Sequence, residues 1–370
     1  MVIKMAIENV SRFIGAFTGF SVGDAFGYPC RKLTFAQICR RFEKSGCMQL
    51  ATSKVTGTAL FTDATQMSLF TTDGILWAAL SQRDQGVNYT EYVFYAYQLW
   101  LYTQTKTLAG DEYRWLFDKN VNRYKSKLVK TKGMYQSRFA EPVNVDALSK
   151  MKNLSYGKIK SPVNDFSDPG AIKRVLSAGL FFNYETSLAF RAGADFAAIT
   201  HGSPDSYLSA GCYCAIIAEL INGSNIDDAI EKAMRLLKNY RGHEKVHKVM
   251  EKVVECLGDD NIPPLVAVSY IGCENQAAQA FGVALFAAAL FEDNFENAMR
   301  LAVNHDGPSD VCGALCGGLL GAYHGSEFVP KKWVKKLSYL RLIEDMAISL
   351  MENSYFNEEE PDDCDYDEYE

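Results

Sequence analysis

Three short stretches hold residues whose types could act together. Gly23-Asp24-Ala25-Phe26-Gly27-Tyr28-Pro29 closes one apolar segment. Phe61-Thr62-Asp63-Ala64-Thr65-Gln66-Met67 opens a second, and Asn304-His305-Asp306-Gly307-Pro308-Ser309-Asp310 precedes a third. Carboxylate and hydroxyl oxygens are ligands for a hard cation such as Mg²⁺, which takes six oxygens and often keeps several waters. The same residues beside an apolar run also cap a helix by accepting its free N–H groups. Spacing does not choose between these, because it does not show whether three helix ends converge. A fourth stretch, His243-Glu244-Lys245-Val246-His247, has zinc-hydrolase spacing, with Glu244 as the base for a metal-bound water. It lies in the charged segment Lys238 to Lys252, which reads as a solvated helix face, and a zinc centre needs a further ligand from elsewhere.

The elements that must position these residues are helical. Gly15, Gly19 and Gly23 recur every four residues from Ile14 to Asp24, so they share a helix face that another backbone can approach closely. Gln66 to Ala79, Tyr92 to Tyr102, Leu180 to Phe190, Leu208 to Ile221 and Ile226 to Leu237 are apolar at helical spacing. Gln276 to Leu290 is apolar nearly all round and is expected at the centre, and Cys312 to Gly325 is a Gly-rich apolar helix. Alternating runs long enough for a sheet are missing. The reading is an all-α, compact, single-domain helical globule over residues 1–350. Residues 105–165 form a long excursion with one or two helices, and 351–370 form an acidic tail.

Composition bounds the function. The 370 residues are 48% hydrophobic and 22% charged, enough for a large core. The formal net charge of −7 comes from the last fourteen residues, which hold nine acids and no base; without them 38 bases face 36 acids. That near-neutral body argues against nucleic acid as a partner, and the tail would suit a basic protein partner. The longest apolar run, Ala280 to Phe291, is too short to span a membrane. Without a secretory signal the ten cysteines are expected to be free thiols and the chain cytoplasmic.

The three stretches, in this order and joined by Thr200-His201-Gly202-Ser203-Pro204, resemble the ADP-ribosylglycohydrolase family, the DraG-like ADP-ribosyl hydrolases. The resemblance runs from about Ile14 to Gly325 and includes Pro162-Val-Asn-Asp-Phe-Ser-Asp-Pro-Gly-Ala-Ile-Lys-Arg174, which is similar to the family's substrate loop. It implies a compact all-α fold. It also implies a pair of Mg²⁺ ions and hydrolysis of the glycosidic bond between ADP-ribose and a side chain or small acceptor. Carried over by position, it makes Thr62, Asp63 and Asp310 the ligands of one Mg²⁺, with Asp63 and Asp310 catalytic. Asp24, Arg31, Asn164, Gly170, Arg174, His201 and His305 become substrate-binding.

The departures from the family pattern are concentrated at the second metal. Ala64 and Pro308 stand where the family has Asp, Val311 stands for Ser or Thr, and the family's Glu falls near Arg31. In the loop, Phe166-Ser167-Asp168-Pro169 replaces a Gly-containing stretch; Pro169 removes an N–H and Asp168 adds a charge that repels phosphate. Three readings follow. One is a hydrolase with a single Mg²⁺. Another is a pseudoenzyme that binds ADP-ribose, an ADP-ribosylated partner or a protein surface. The remote third is a zinc hydrolase at His243 and His247.

Overall fold

The computed structural model describes residues 2–43, 45–81, 87–117 and 126–354. Among these residues sixteen α-helices follow one another. They are α1 (Val2–Gly27), α2 (Phe35–Arg41), α3 (Asp63–Ser81), α4 (Tyr89–Thr105), α5 (Pro142–Lys150), α6 (Leu176–Phe181), α7 (Thr186–Ala198) and α8 (Pro204–Ile221). Then come α9 (Ile226–Leu237), α10 (Glu244–Leu257), α11 (Pro264–Ile271), α12 (Ala277–Leu290), α13 (Phe295–Val303), α14 (Ser309–His324), α15 (Lys331–Val334) and α16 (Leu340–Ser354). No strand occurs among the described residues, only two isolated bridges, so the chain is all-α as its period predicts.

Residue pattern sorts the helices by depth. α9 and α10 carry apolar residues on one face only, so Ile230, Ala233, Val246 and Val253 are buried while the charged faces meet water. α12 is apolar almost all round and is buried along most of its length, in contact with α8, α10, α13 and α14. α8 is likewise buried nearly throughout and packs on α7.

One seam sets the frame. α1 packs on α14 through glycines at four-residue spacing: Gly15, Gly19 and Gly23 lie against the backbones of Gly321, Gly317 and Gly313. A Cβ added at Gly15 would lie 2.5 Å from Gly321 O. Rising numbers on one helix meet falling numbers on the other, so the two run antiparallel. The C-terminal end of α1, with Asp24, therefore lies beside the N-terminal end of α14, with Asp310.

Two expectations change in detail. The periodic run from Leu180 to Phe190 is not one helix. It breaks at 182–185 into α6 and α7, because Asn183, Tyr184 and Glu185 form a turn whose Asn183 carbonyl accepts from Asn222 Nδ2. The last helix runs to Ser354, with Leu350 and Ser354 buried, so it passes the expected start of the tail. The acidic residues 355–370 lie outside the described residues.

The 105–165 excursion holds short 3-10 turns at Asp111–Phe117, Leu128–Lys130 and Lys132–Tyr135, then α5. It is tied down from its inner side. Gln66 Nε2 donates to Met134 O while Gln66 Oε1 accepts from Trp100 Nε1, and Gln98 Nε2 donates to Leu148 O. The nine described cysteines are free.

The seam generates a stability prediction. Gly19→Ala places its methyl against the Gly317 backbone, which has no side chain to move aside. We expect a loss at the upper end of the overpacking range, about 2–3 kcal/mol by urea denaturation. Gly258→Ala, where the nearest outside atom is 3.5 Å from the added carbon, should be neutral or slightly stabilising.

Candidate functional site

The first carboxylate belongs to α1. Asp24 is fully buried, and its Oδ2 accepts from Thr62 N (2.9 Å), Thr65 N (3.0 Å) and Thr65 Oγ1 (2.7 Å), so it closes the N-terminal end of α3 from outside. Burial outweighs these donors and pushes its pKa up to about 6. Its Oδ1 is buried without a hydrogen-bond partner among the described residues. Thr62 Oγ1 caps the same end by accepting from Ala64 N at 3.1 Å.

Asp63 opens α3 and is also fully buried. The excursion closes over it: Asp63 N donates to Arg138 O, and Glu141 N donates to Asp63 Oδ2 at 3.0 Å. Its carboxylate faces the ammonium of Lys173, with Nζ at 2.8 Å from Oδ1 and 2.9 Å from Oδ2. Lys173 is itself fully buried, and its Nζ lies 3.7 Å from Glu141 Oε1. Burial alone would lower its pKa. Asp63, Glu141 and Asp310 outweigh burial and hold the ammonium above its ordinary pKa.

Arg31 makes the second clamp. Its Nε stands 2.9 Å from Asp310 Oδ2 and its Nη2 donates to Glu141 Oε1. Burial disfavours the charged carboxylate of Glu141, but Lys173 and Arg31 overcome it and lower its pKa. Asp310 is raised, chiefly by burial, against the pull of Arg31 and Lys173. Three carboxylates from three separate segments, Asp63, Glu141 and Asp310, thus surround two side-chain cations, and Asp24 adjoins them without touching either.

A second network adjoins the first through the next residue in the chain. The Arg174 guanidinium lies 4.4 Å over the Tyr97 ring and donates to Asn144 Oδ1 (2.6 Å) and Thr200 Oγ1 (2.7 Å). Thr200 Oγ1 is 2.8 Å from His201 Nδ1, and His201 Nε2 is 3.2 Å from Asp168 Oδ1. Burial lowers the His201 pKa, so the ring is neutral; with Asp168 ionised, Nε2 carries the proton and donates it. Asp168 Oδ1 also accepts from Gly170 N at 2.9 Å, which together with His201 holds its pKa down against burial.

The sequence-predicted residues therefore fall into groups. Asp24, Arg31, Thr62, Asp63 and Asp310 converge. Gly170, Arg174 and His201 join the adjoining network, where Arg174 is buried as an anchor. Asn164 braces the loop, its Nδ2 donating to Thr200 O and its Oδ1 accepting from Gly202 N. His305 stands apart: Nε2 donates to Ala302 O and Nδ1 accepts from Gly307 N, both at 2.8 Å, so both ring nitrogens are used inside its own loop. Burial lowers its pKa to about 4.

Sequence reasoning missed Lys173, Glu141 and Asn144. Two adjacent cations inside the apolar run from Ala171 to Leu180 were the available signal for Lys173, because buried charges need partners. Glu141 gave none, since an acid before Pro142 reads as a helix start.

As arranged, these residues do not fit a metal ion. Both oxygens of Asp63 are engaged by Lys173, Asp310 is engaged by Arg31, and Thr62 Oγ1 accepts from its own helix. Among the described residues no group of three or more His, Cys, Asp or Glu is placed to hold a metal. His243 Nδ1 lies against Tyr240 O and His247 Nδ1 is 3.4 Å from Glu251 Oε1, and among the described residues they form no group of three ligands placed to hold zinc.

The ADP-ribosylglycohydrolase family model matches residues 5–360. The chain belongs to the ADP-ribosylglycohydrolase family. An uncharacterised protein of Archaeoglobus fulgidus is 22% identical over 344 residues, spanning 92% of this chain and 96% of that protein. A solved structure described as an ADP-ribosylglycohydrolase-related protein complex has the same fold, with a TM-score of 0.52 and 21% identity over 94% of this chain and 99% of its own. Within the ADP-ribosylglycohydrolase frame, this chain fills the carboxylate cluster with an ammonium and a guanidinium. Among the described residues no helix is long and apolar enough to cross a membrane.

Two of the buried titrating groups, Asp24 and His305, oppose one another. Asp24, raised from 3.8 to about 6, binds its proton more tightly when folded, so it favours the native state at low pH and that gain is lost as pH rises through 6. His305, lowered from 6.5 to about 4, favours the native state above 6.5, and that gain is lost as pH falls through 4. Asp24→Asn removes the first and leaves the second. Its stability should fall more steeply than wild type between pH 6.5 and 4, by up to about 3 kcal/mol. Denaturation curves at a series of pH values check this; parallel pH profiles would refute it.

Proposed function

We propose that this chain recognises the ADP-ribosyl group, free or on a modified partner, and does not hydrolyse it by the metal-activated route. The observation that carries the reading is the seating of Lys173 Nζ across both oxygens of Asp63. An ammonium neutralises a carboxylate but holds no water to turn into hydroxide, which is what a metal contributes to hydrolysis.

The binding half of the reading rests on what stays open beside the cluster. Asp24, Asp63 and Asp310 are sealed, whereas the side chains of Glu141 and Asp168 are 26% and 19% exposed. Those two carboxylates accept from hydroxyl donors such as a ribose presents. The loop that carries Asp168 also walls a cleft of about 490 Å³, lined by Val163, Asn164 and Phe166 against Ala147, Lys150 and Met151. In this reading the adenine lies in that cleft against the partly exposed Phe166 ring, and the ribose faces Asp168 and Glu141.

Thr62, Asp63 and Asp310 do come together, which keeps single-Mg²⁺ hydrolysis as the second reading. It requires the ion to displace Lys173 from Asp63.

Isothermal titration with ADP-ribose separates the two. We expect binding that is the same in EDTA and in Mg²⁺, no release of ADP-ribose from modified proteins, and affinity about tenfold weaker in Phe166→Ala and in Glu141→Gln. Mg²⁺-dependent release would establish the hydrolase instead. Absence of binding in either buffer would remove ADP-ribose as the ligand.

A further inference from the structure

We infer that Lys173 and Arg31 are resident cations doing the charge-balancing work of metal ions. On this inference the native carboxylate cluster is metal-independent, and the Lys173 position is a latent divalent-cation site that opens when the ammonium is removed. The inference stands on the cluster alone and not on the ADP-ribose reading.

The cluster is a cation site by construction. Asp63 comes from the start of α3, Asp310 from the start of α14, Glu141 from the excursion and Asp24 from the end of α1. Asp24, Asp63 and Asp310 are fully or almost fully buried, and the chain spends its tightest helix seam to bring two of them together. Buried carboxylates at this density are unstable without countercharge. The countercharge is supplied by side chains that reach inward. Lys173 has no exposed surface; its Nζ bonds both oxygens of Asp63 and lies 3.7 Å from Glu141 Oε1. Arg31 bridges Asp310 and Glu141. The carboxylates of Asp63 and Glu141 thus point at one position, and Lys173 Nζ fills it.

The two cations differ in what they leave behind. Arg31 is a planar fork that spans two carboxylates, and nothing compact takes its shape. Lys173 ends in a compact ammonium with oxygens near 2.8 Å, and Mg²⁺ binds oxygens at about 2.0–2.1 Å and completes its shell with water. Lys173→Ala removes the ammonium and most of its stem. That leaves Asp63, the partly open Glu141 and room for water: a small oxygen-lined site of net negative charge. Mn²⁺, which prefers the same ligands, is the spectroscopic probe.

The test compares wild type, Lys173→Ala, and Lys173→Ala with Asp63→Asn, by Mn²⁺ electron paramagnetic resonance and thermal unfolding. Wild type should leave millimolar Mn²⁺ free and keep its Tm in EDTA. Lys173→Ala should lose roughly 5–10 °C through its unpaired carboxylates. It should bind one Mn²⁺ and regain at least half the loss with Mn²⁺ or with n-propylammonium, but not with NaCl at matched ionic strength. Adding Asp63→Asn should abolish the Mn²⁺ recovery. If Lys173→Ala does not fold alone, refolding from urea with and without Mn²⁺ reads the same recovery. Stoichiometric Mn²⁺ binding by wild type would overturn the inference. So would a Lys173→Ala protein with unchanged Tm, or one that neither binds Mn²⁺ nor is restored by it. If these results hold while ADP-ribose does not bind, only the ligand assignment fails.

Discussion

The close antiparallel packing of α1 on α14 is the constraint on which the rest of the site depends. Glycines at four-residue spacing on both helices bring the backbones into direct contact at Gly15, Gly19 and Gly23 against Gly321, Gly317 and Gly313, so the two helices fix each other's register. Register decides chemistry here. It delivers Asp24 and Asp310 to one end of the pair, and Asp24 then accepts the free N–H groups of α3 and so places Asp63. Two acids are brought together by packing that contains no charged group, and the carboxyl of one of them places the third.

Assembling acids in a core creates an electrostatic debt, and the chain settles it internally. Lys173 and Arg31 reach the cluster from different segments, and each touches more than one carboxylate. The mutual effects are visible in the titration behaviour: Glu141 is held ionised and Lys173 protonated despite burial, while Asp24, which has no cation at bonding distance, is pushed towards neutrality. Burial wins at Asp310 as well, whose pKa is raised although Arg31 stands beside it, so the balance of burial against countercharge differs from one carboxylate of the cluster to the next.

The loop before α6 couples this cluster to its surroundings. Consecutive residues Lys173 and Arg174 turn to different networks, one to Asp63 and one to Asn144, Thr200 and Tyr97. Asp168, a few residues earlier, is steered by His201 and Gly170 so that a carboxylate stands partly open beside Glu141. Membership of the ADP-ribosylglycohydrolase family accounts for the frame.

The sequence by itself determined the helical class, the central place of the run from Gln276 to Leu290, the glycine face of α1 and the carboxylates at three helix ends. All of these are written in local period and residue type, which neighbours along the chain impose on one another. The family frame was legible for the same reason, since its motifs are short and collinear. What only the tertiary structure decided was the partnership of charges. Lys173 lies 110 residues from Asp63 in sequence, and Glu141 looks like any acid before a proline. His305, expected from its motif to bind substrate, has both ring nitrogens bonded to nearby backbone, at Ala302 O and Gly307 N. A charge's partner is set by distance and burial in three dimensions, and neither has a period that a sequence can display.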